Sequence, residues 1–187
     1  MITVADRLSA EAVLPDVYAS VEPAWPQEGC GFVFLDPEQD RLVVLPTANR
    51  AEELHARFPD RYPRGGADWF EPDMKPWLRA LRAGWTPLVI YHSHPEVGAY
   101  FSSSDQEMAV MRDDEGHLQP RHAGVFHLVV SVRQGKADGA KLFTFEHQRS
   151  CFVPCAAYDS EGRVLPFHEE PSSPGRELEG TPGPRHA

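Results

Sequence analysis

The chain has 187 residues and a formal net charge of −10, with 41% hydrophobic and 25% charged residues. That length suits one domain with a sizeable core, and no apolar run approaches the roughly 20 residues needed to cross a bilayer. So acidic a chain lacks the basic face that phosphate binding requires, which argues against nucleic acid as a partner. The N-terminal stretch MITVADRLSAEAV has no basic leader ahead of an apolar block, so no signal peptide is expected and the cytoplasm is the expected compartment. Cys30, Cys151 and Cys155 form an odd set without a disulfide pattern and read as reduced thiols.

In residues 9–22 the apolar Val13, Leu14, Val17, Tyr18 and Val21 recur at helical spacing, against which only Pro15 speaks. GFVFL at 31–35 and RLVVLP at 41–46 flank the polar turn DPEQD and predict a hairpin. Residues 47–71 are rich in Pro, Gly and Arg and read as a long functional loop. Its aromatics Phe58, Tyr62, Trp69 and Phe70 either grip an extended peptide or pack into the domain. A helix is predicted over 72–83, with Met74, Trp77, Leu78 and Leu81 on one side and Gly84 ending it.

TPLVIYH at 86–92 is almost wholly apolar, as is a strand buried on both faces. SSSDQEMAVMR at 102–112 carries helix-start chemistry. Residues 113–124 read as a polar loop holding His117 and His122, more as exposed residues than as ligands of a second metal. VFHLVVSV at 125–132 and AKLFTFEH at 140–147 predict strands, and SCFVPCAAYD with GRVLPF predicts a last hairpin. Residues 1–167 are thus expected to form one mixed α/β (α+β) domain, a central sheet flanked by helices. From 168 to 187 the chain is rich in Pro, Gly and Glu without an aromatic, and is expected to be disordered.

The chemistry concentrates in His92-Ser93-His94-Pro95, followed by Ser102 and Asp105. On a strand, His92 and His94 stand at i and i+2 and project from the same face. Asp105 falls in the first turn of the next helix, where the helix dipole favours a carboxylate. Two imidazoles and one carboxylate make the three-ligand set of a catalytic zinc, with water in the fourth position. Each residue also has a plainer reading: a strand-end histidine as a satisfied polar group, and Ser102 with Asp105 as a capping box. Tyr100 and Phe101 either cover a substrate channel or fill the core.

The spacing H-x-H-P-x(6)-S-x(2)-D resembles, at every fixed position, the motif of the JAMM (MPN+) zinc metallopeptidases. PQEGCGFVF at 26–34 is similar to the upstream element of the prokaryotic JAB-type members, in which a glutamate precedes a Cys-Gly and an apolar strand. RLVVLPTANR at 41–50 resembles the strand that follows, so the likeness spans roughly residues 10–132. It implies a JAMM/MPN-like (cytidine-deaminase-like) fold with a central mixed sheet. It implies one Zn2+ per chain on His92, His94 and Asp105, with a catalytic water as fourth ligand. Glu28 becomes the implied acid/base and Ser102 the donor to an oxyanion, although Glu22, Glu38, Glu52, Glu53 and Glu71 compete with Glu28 by chemistry alone.

The activity implied is hydrolysis of peptide or isopeptide bonds. Stand-alone bacterial relatives act on small β-grasp proteins, so the implied partner is a ubiquitin-like or sulfur-carrier protein with a C-terminal Gly-Gly. Cleavage at that end would be trimming or deconjugation, with no membrane involved. The alternative is a non-catalytic MPN-type scaffold or interaction module, whose members lack the ligands this chain keeps. His94-Pro95-Glu96 also fits the H-x-E of zinc nucleobase deaminases, but Pro154-Cys155 is followed by Ala-Ala-Tyr and completes no P-C-x-x-C.

Overall fold

A computed structural model describes residues 3–166 of the protein; the segment expected to be disordered, 168–187, lies outside them. In chain order the elements are α1 (Val4–Ala10), α2 (Val13–Val21), β1 (Cys30–Asp36), β2 (Arg41–Thr47), α3 (Ala51–Arg57) and α4 (Lys75–Arg82). There follow β3 (Thr86–Pro95), α5 (Ser103–Ala109), β4 (Val110–Arg112), β5 (Leu118–Pro120), β6 (Phe126–Arg133), β7 (Lys136–Glu146), β8 (Cys151–Asp159) and β9 (Val164–Leu165). Seven strands form one mixed sheet in the order β2-β1-β3-β6-β7-β8-β9. Its one parallel pair is β3 with β6, reached by the crossover through α5. The expected mixed α+β class is what the chain adopts.

Strand alternation divides the core. Val33 of β1, Val89 and Tyr91 of β3, and Leu128, Val130 and Val132 of β6 face α1 and α2, meeting the buried Leu8, Leu14, Val17, Tyr18 and Val21. On the opposite face Cys30, Phe32 and Phe34 lie with Ile90 beneath Trp77 and Ala80 of α4. Farther along, Ala109 of α5 covers Val129, Phe143 and Phe152. Two glycines let β1 run close under the helical layer. A Cβ on Gly29 would stand 2.8 Å from the Val21 backbone, and one on Gly31 would stand 2.3 Å from the Tyr91 hydroxyl.

Several elements differ from the sequence reading for local reasons. The helix expected over 9–22 is two helices, broken where Ala12 adopts a left-handed φ of 53°. Pro15 is tolerated because it sits in the first turn of α2, where an N–H has no intrahelical partner. Leu78 and Leu81 do not share the face of Trp77; they remain 49% and 43% exposed while Trp77 and Ala80 meet the sheet. The 47–71 loop contains α3, and the 113–124 loop contains β5, which pairs with β4 and so ends α5 at Ala109. Met108, Ala109 and Met111 also suit a helix, but pairing with β5 takes the chain into a strand from Val110.

This layering predicts a contrast between two leucines. Leu14→Ala empties a fully buried site between α2 and the sheet and should lower stability by about 2–5 kcal/mol. Leu78→Ala, on the open side of α4, should cost under about 1 kcal/mol. Guanidinium unfolding midpoints of the two variants check the contrast.

Candidate active site

The register of β1 against β3 sets the site. Cys30 lies opposite His92, and the pairing runs on past the strand through Ser93 N–H to Gly29 O at 2.9 Å and Gly29 N–H to Ser93 Oγ at 2.8 Å. By alternation Glu28 then falls on the same sheet face as His92 and His94. β3 continues three residues beyond the apolar run, to Pro95, which puts both histidines on a regular strand. Pairing with β6 on the other side holds them there, His92 opposite Val129 and His94 opposite Ser131.

Asp105 comes from the first turn of α5. Ser102 caps that helix, its hydroxyl accepting from Asp105 N–H at 3.1 Å while Asp105 Oδ2 accepts from both the Ser102 N–H and the hydroxyl at 2.7 Å. The capping box and the candidate ligand are therefore one arrangement: the cap orients the carboxylate. Nε2 of His92 and of His94 face each other at 3.1 Å, and each stands 3.4 Å from an Asp105 oxygen. Each of the three residues offers a ligand atom within 4.8 Å of the other two.

This donor set fits a zinc ion. Two nitrogens at zinc–nitrogen distances of 2.0–2.1 Å and a tetrahedral angle stand about 3.3 Å apart, close to the spacing seen between the two Nε2 atoms. Complete burial pushes the His92 imidazole below its ordinary range and so keeps it neutral, with a lone pair to give. Burial alone would raise the Asp105 carboxyl, but bonding to His92, His94 and Ser102 holds it well below the usual carboxylate range. The buried Nδ1 atoms of both histidines find no hydrogen-bond partner among the described residues. Ring packing orients them instead: Phe70 stacks on His92 at 4.2 Å and Tyr100 meets His94 edge-on at 4.9 Å.

Glu28, His94, Ser102 and Asp105 line one open cavity of about 370 Å³, together with Arg64, Trp69 and Tyr100. Glu28 is the one glutamate in that lining. Of its competitors, Glu22 pairs with Lys136, Glu53 with Arg50, Glu52 accepts from the Gly66 N–H and Glu38 is exposed in the β1–β2 turn, while Glu71 lines an adjoining cavity. Burial pushes the Glu28 carboxyl up to about 9, with the charges of Asp105 and Asp68 adding to the rise and Arg64 opposing it. A bound divalent cation would pull it back down.

The loop that roofs the cavity is stitched on by its backbone. Glu28 N–H donates to Gly66 O at 2.7 Å. The Asn49 side chain donates to Glu28 O and Trp69 O at 3.0 and 2.9 Å, and its own oxygen accepts from Ala51 and Glu71 N–H at 3.0 Å. Asn49 carried no signal beyond its polar neighbours in TANR. The loop aromatics split between the two roles: Phe70 is buried against His92 and Trp69 lines the cavity, whereas Phe58 is exposed beside Arg57. Tyr100 and Phe101 split likewise, Tyr100 at the cavity and Phe101 against Phe143 and Phe152.

Sequence reasoning also passed over His127, which is buried on β6 with burial pushing it down to about 3. It lines a neighbouring cavity of about 420 Å³ that shares Trp69, Phe70 and Asp105 with the first. His117 is exposed beside Asp113 and Glu115, and His122 is half-buried against Trp77, so no second metal cluster forms among the described residues. The three cysteines are free thiols, as expected.

A mixed sheet whose central strand carries a His-x-His pair, facing an aspartate on the following helix, defines a JAMM/MPN-type domain. The model of the prokaryotic homologs of the JAB domain matches residues 10–144, and the chain belongs to that family. A protein from Desulfitobacterium hafniense, solved in solution, is similar in fold, with a TM-score of 0.50 and 20% identity, covering 75% of this chain and 84% of that one. One from Salinibacter ruber is 23% identical with a TM-score of 0.44, covering 75% of this chain and 85% of that one. No curated protein matches the chain.

The raised Glu28 carboxyl gives the metal-free protein a pH signature. An unfolded glutamate titrates near 4.3, so the stability present below that pH is lost as pH rises toward about 9. Metal-free Glu28→Gln should therefore be more stable than metal-free wild type at pH 7.5, by on the order of 4 kcal/mol, and the two should converge near pH 4. Thermal unfolding in chelator at both pH values measures this.

Proposed function

We propose that the protein is a zinc-dependent peptidase or isopeptidase that cleaves at the C-terminal end of a ubiquitin-like or sulfur-carrier protein ending in Gly-Gly, by trimming or by deconjugation. The observation that carries this reading is the convergence of His92, His94 and Asp105 with Glu28 lining the same cavity. His92, His94 and Asp105 would hold one Zn2+, whose Lewis acidity would bring the pKa of water there to about 7 and polarise a carbonyl.

The chain's own residues do the rest. Glu28 takes the proton of the attacking water and returns it to the departing amine, work that typically contributes about 10²- to 10⁴-fold in rate. Its burial keeps competing solvent from that carboxyl. The Ser102 proton, which rests on Asp105 Oδ2, turns to the oxygen that gains charge; a donor so placed is commonly worth about 10²-fold or more. Asn49 and Gly66 hold the roof so that Phe70 keeps the His92 ring fixed. No helix among the described residues is long and apolar enough to cross a membrane, and the free thiols support action in the reducing cytoplasm.

The test uses a β-grasp protein ending in Gly-Gly with a short extension, and reads products by mass spectrometry. Wild type should cleave after the second glycine, lose activity in chelator and regain it with zinc. Glu28→Gln should keep its zinc and lose at least about 10²-fold in kcat, while Asp105→Ala should lose the zinc as well. Zinc-loaded wild type that leaves every such substrate intact would contradict the proposal.

A further inference from the structure

Arg64 has no part in the chemistry above, yet it is the one Lys or Arg among the residues lining the catalytic cavity. Its guanidinium lies 4.1 Å over the Trp69 ring, and Nη1 donates to Ser104 Oγ at 2.8 Å. These two contacts fix a planar cation whose five donors are otherwise uncommitted to any carboxylate among the described residues. Asp68, which also lines the cavity, is exposed and makes no ion pair with it. Stacking on an indole while presenting an open fork is how arginine is preorganised for a planar anion.

The placement decides what that anion is. Ser104 neighbours Asp105 in sequence and lies two residues after Ser102, so the guanidinium stands beside the start of α5 that carries both. The cavity of about 370 Å³ is at the small end of ligand sites, a size that suits a short peptide segment. A carboxylate in reach of both Arg64 and the site is the free α-carboxylate of a residue just beyond the cleaved bond.

We propose that Arg64 binds the C-terminal carboxylate of the substrate, so that the enzyme trims a short free-acid extension following Gly-Gly instead of releasing a protein from an isopeptide conjugate. This rests on the peptidase reading and narrows it. An isopeptide conjugate offers a continuing lysine side chain at that point and no charge, so the Arg64 fork would be left facing a neutral chain. A charge-assisted, two-pronged contact discriminates by about 10- to 100-fold.

The experiment separates binding from cleavage. A short peptide ending Gly-Gly-Ala and its C-terminal amide are titrated calorimetrically into zinc-loaded Glu28→Gln, where turnover is silenced, with and without Arg64→Gln or Arg64→Lys. The free acid should bind about 10- to 100-fold tighter than the amide. Arg64→Gln should bring the two to near parity by weakening the free acid far more than the amide, and Arg64→Lys should keep part of the preference because it keeps the charge. Wild-type kcat/KM should show the same preference, carried mainly by KM. Equal affinities in the presence of Arg64, a preference that survives Arg64→Gln, or binding of neither peptide would each overturn the assignment. A binding preference with no cleavage of either peptide by wild type would leave the carboxylate site standing and sink the peptidase reading instead.

Discussion

The pairing of β1 with β3 is the constraint on which the rest of the site depends. Because strand side chains alternate, setting Cys30 opposite His92 places Glu28, His92 and His94 on one face of the sheet and Gly29, Gly31 and Tyr91 on the other. A slip of one residue would send Glu28 into the layer beneath α2. The glycines are part of the same constraint: Val21 and the Tyr91 hydroxyl lie where their Cβ atoms would be. The sequence EGCG thus alternates a chemical face with a face that only a bare backbone can fill.

Electrostatics explains why such a site invites a cation. Two carboxyls and two imidazoles are buried together, with His92 kept neutral, Asp105 kept ionised and Glu28 driven up to about 9. Buried negative charge without a partner is costly, and a divalent ion among these groups relieves both carboxyls at once. Arg64 makes no ion pair with Asp105, whose carboxylate is held by Ser102 and the two histidines. The cap of α5 consequently serves two ends, satisfying a helix terminus and aiming a carboxylate that could hold the ion.

Much of this was legible in the residues, and unevenly so. The grouping of His92, His94 and Asp105 could be read because i and i+2 on a strand share a face and Ser-x-x-Asp begins a helix, with the family spacing raising it above a capped helix and two strand-end histidines. The apolar runs of β1, β3 and β6 declared themselves because buried strands have few polar positions. Glu28 needed the family likeness, since its approach to His94 depends on a strand pairing across 64 residues of chain. Arg64, Asn49 and His127 were silent for the same reason. Asn49 acts by bridging two segments, Arg64 by lying on Trp69, and His127 by pointing inward from a strand that merely looked apolar. The α3 helix and the β4–β5 pair hid inside stretches whose Pro, Gly and charge suggested loops, because so short an element is stabilised by its neighbours more than by its own propensity.

The central claim is that Nε2 of His92 and Nε2 of His94 converge with Asp105 on a single ion. Long-range proton–nitrogen correlation spectra of the histidine rings, recorded as zinc is added, test it most directly, with His92→Gln and His94→Gln assigning the signals. The account predicts that one equivalent of zinc moves the Nε2 resonances of His92 and His94 together, leaves the proton on each Nδ1, and does not disturb His117 or His122. Coordination through Nδ1, a shift of only one of the two rings, or saturation at other histidines would contradict it.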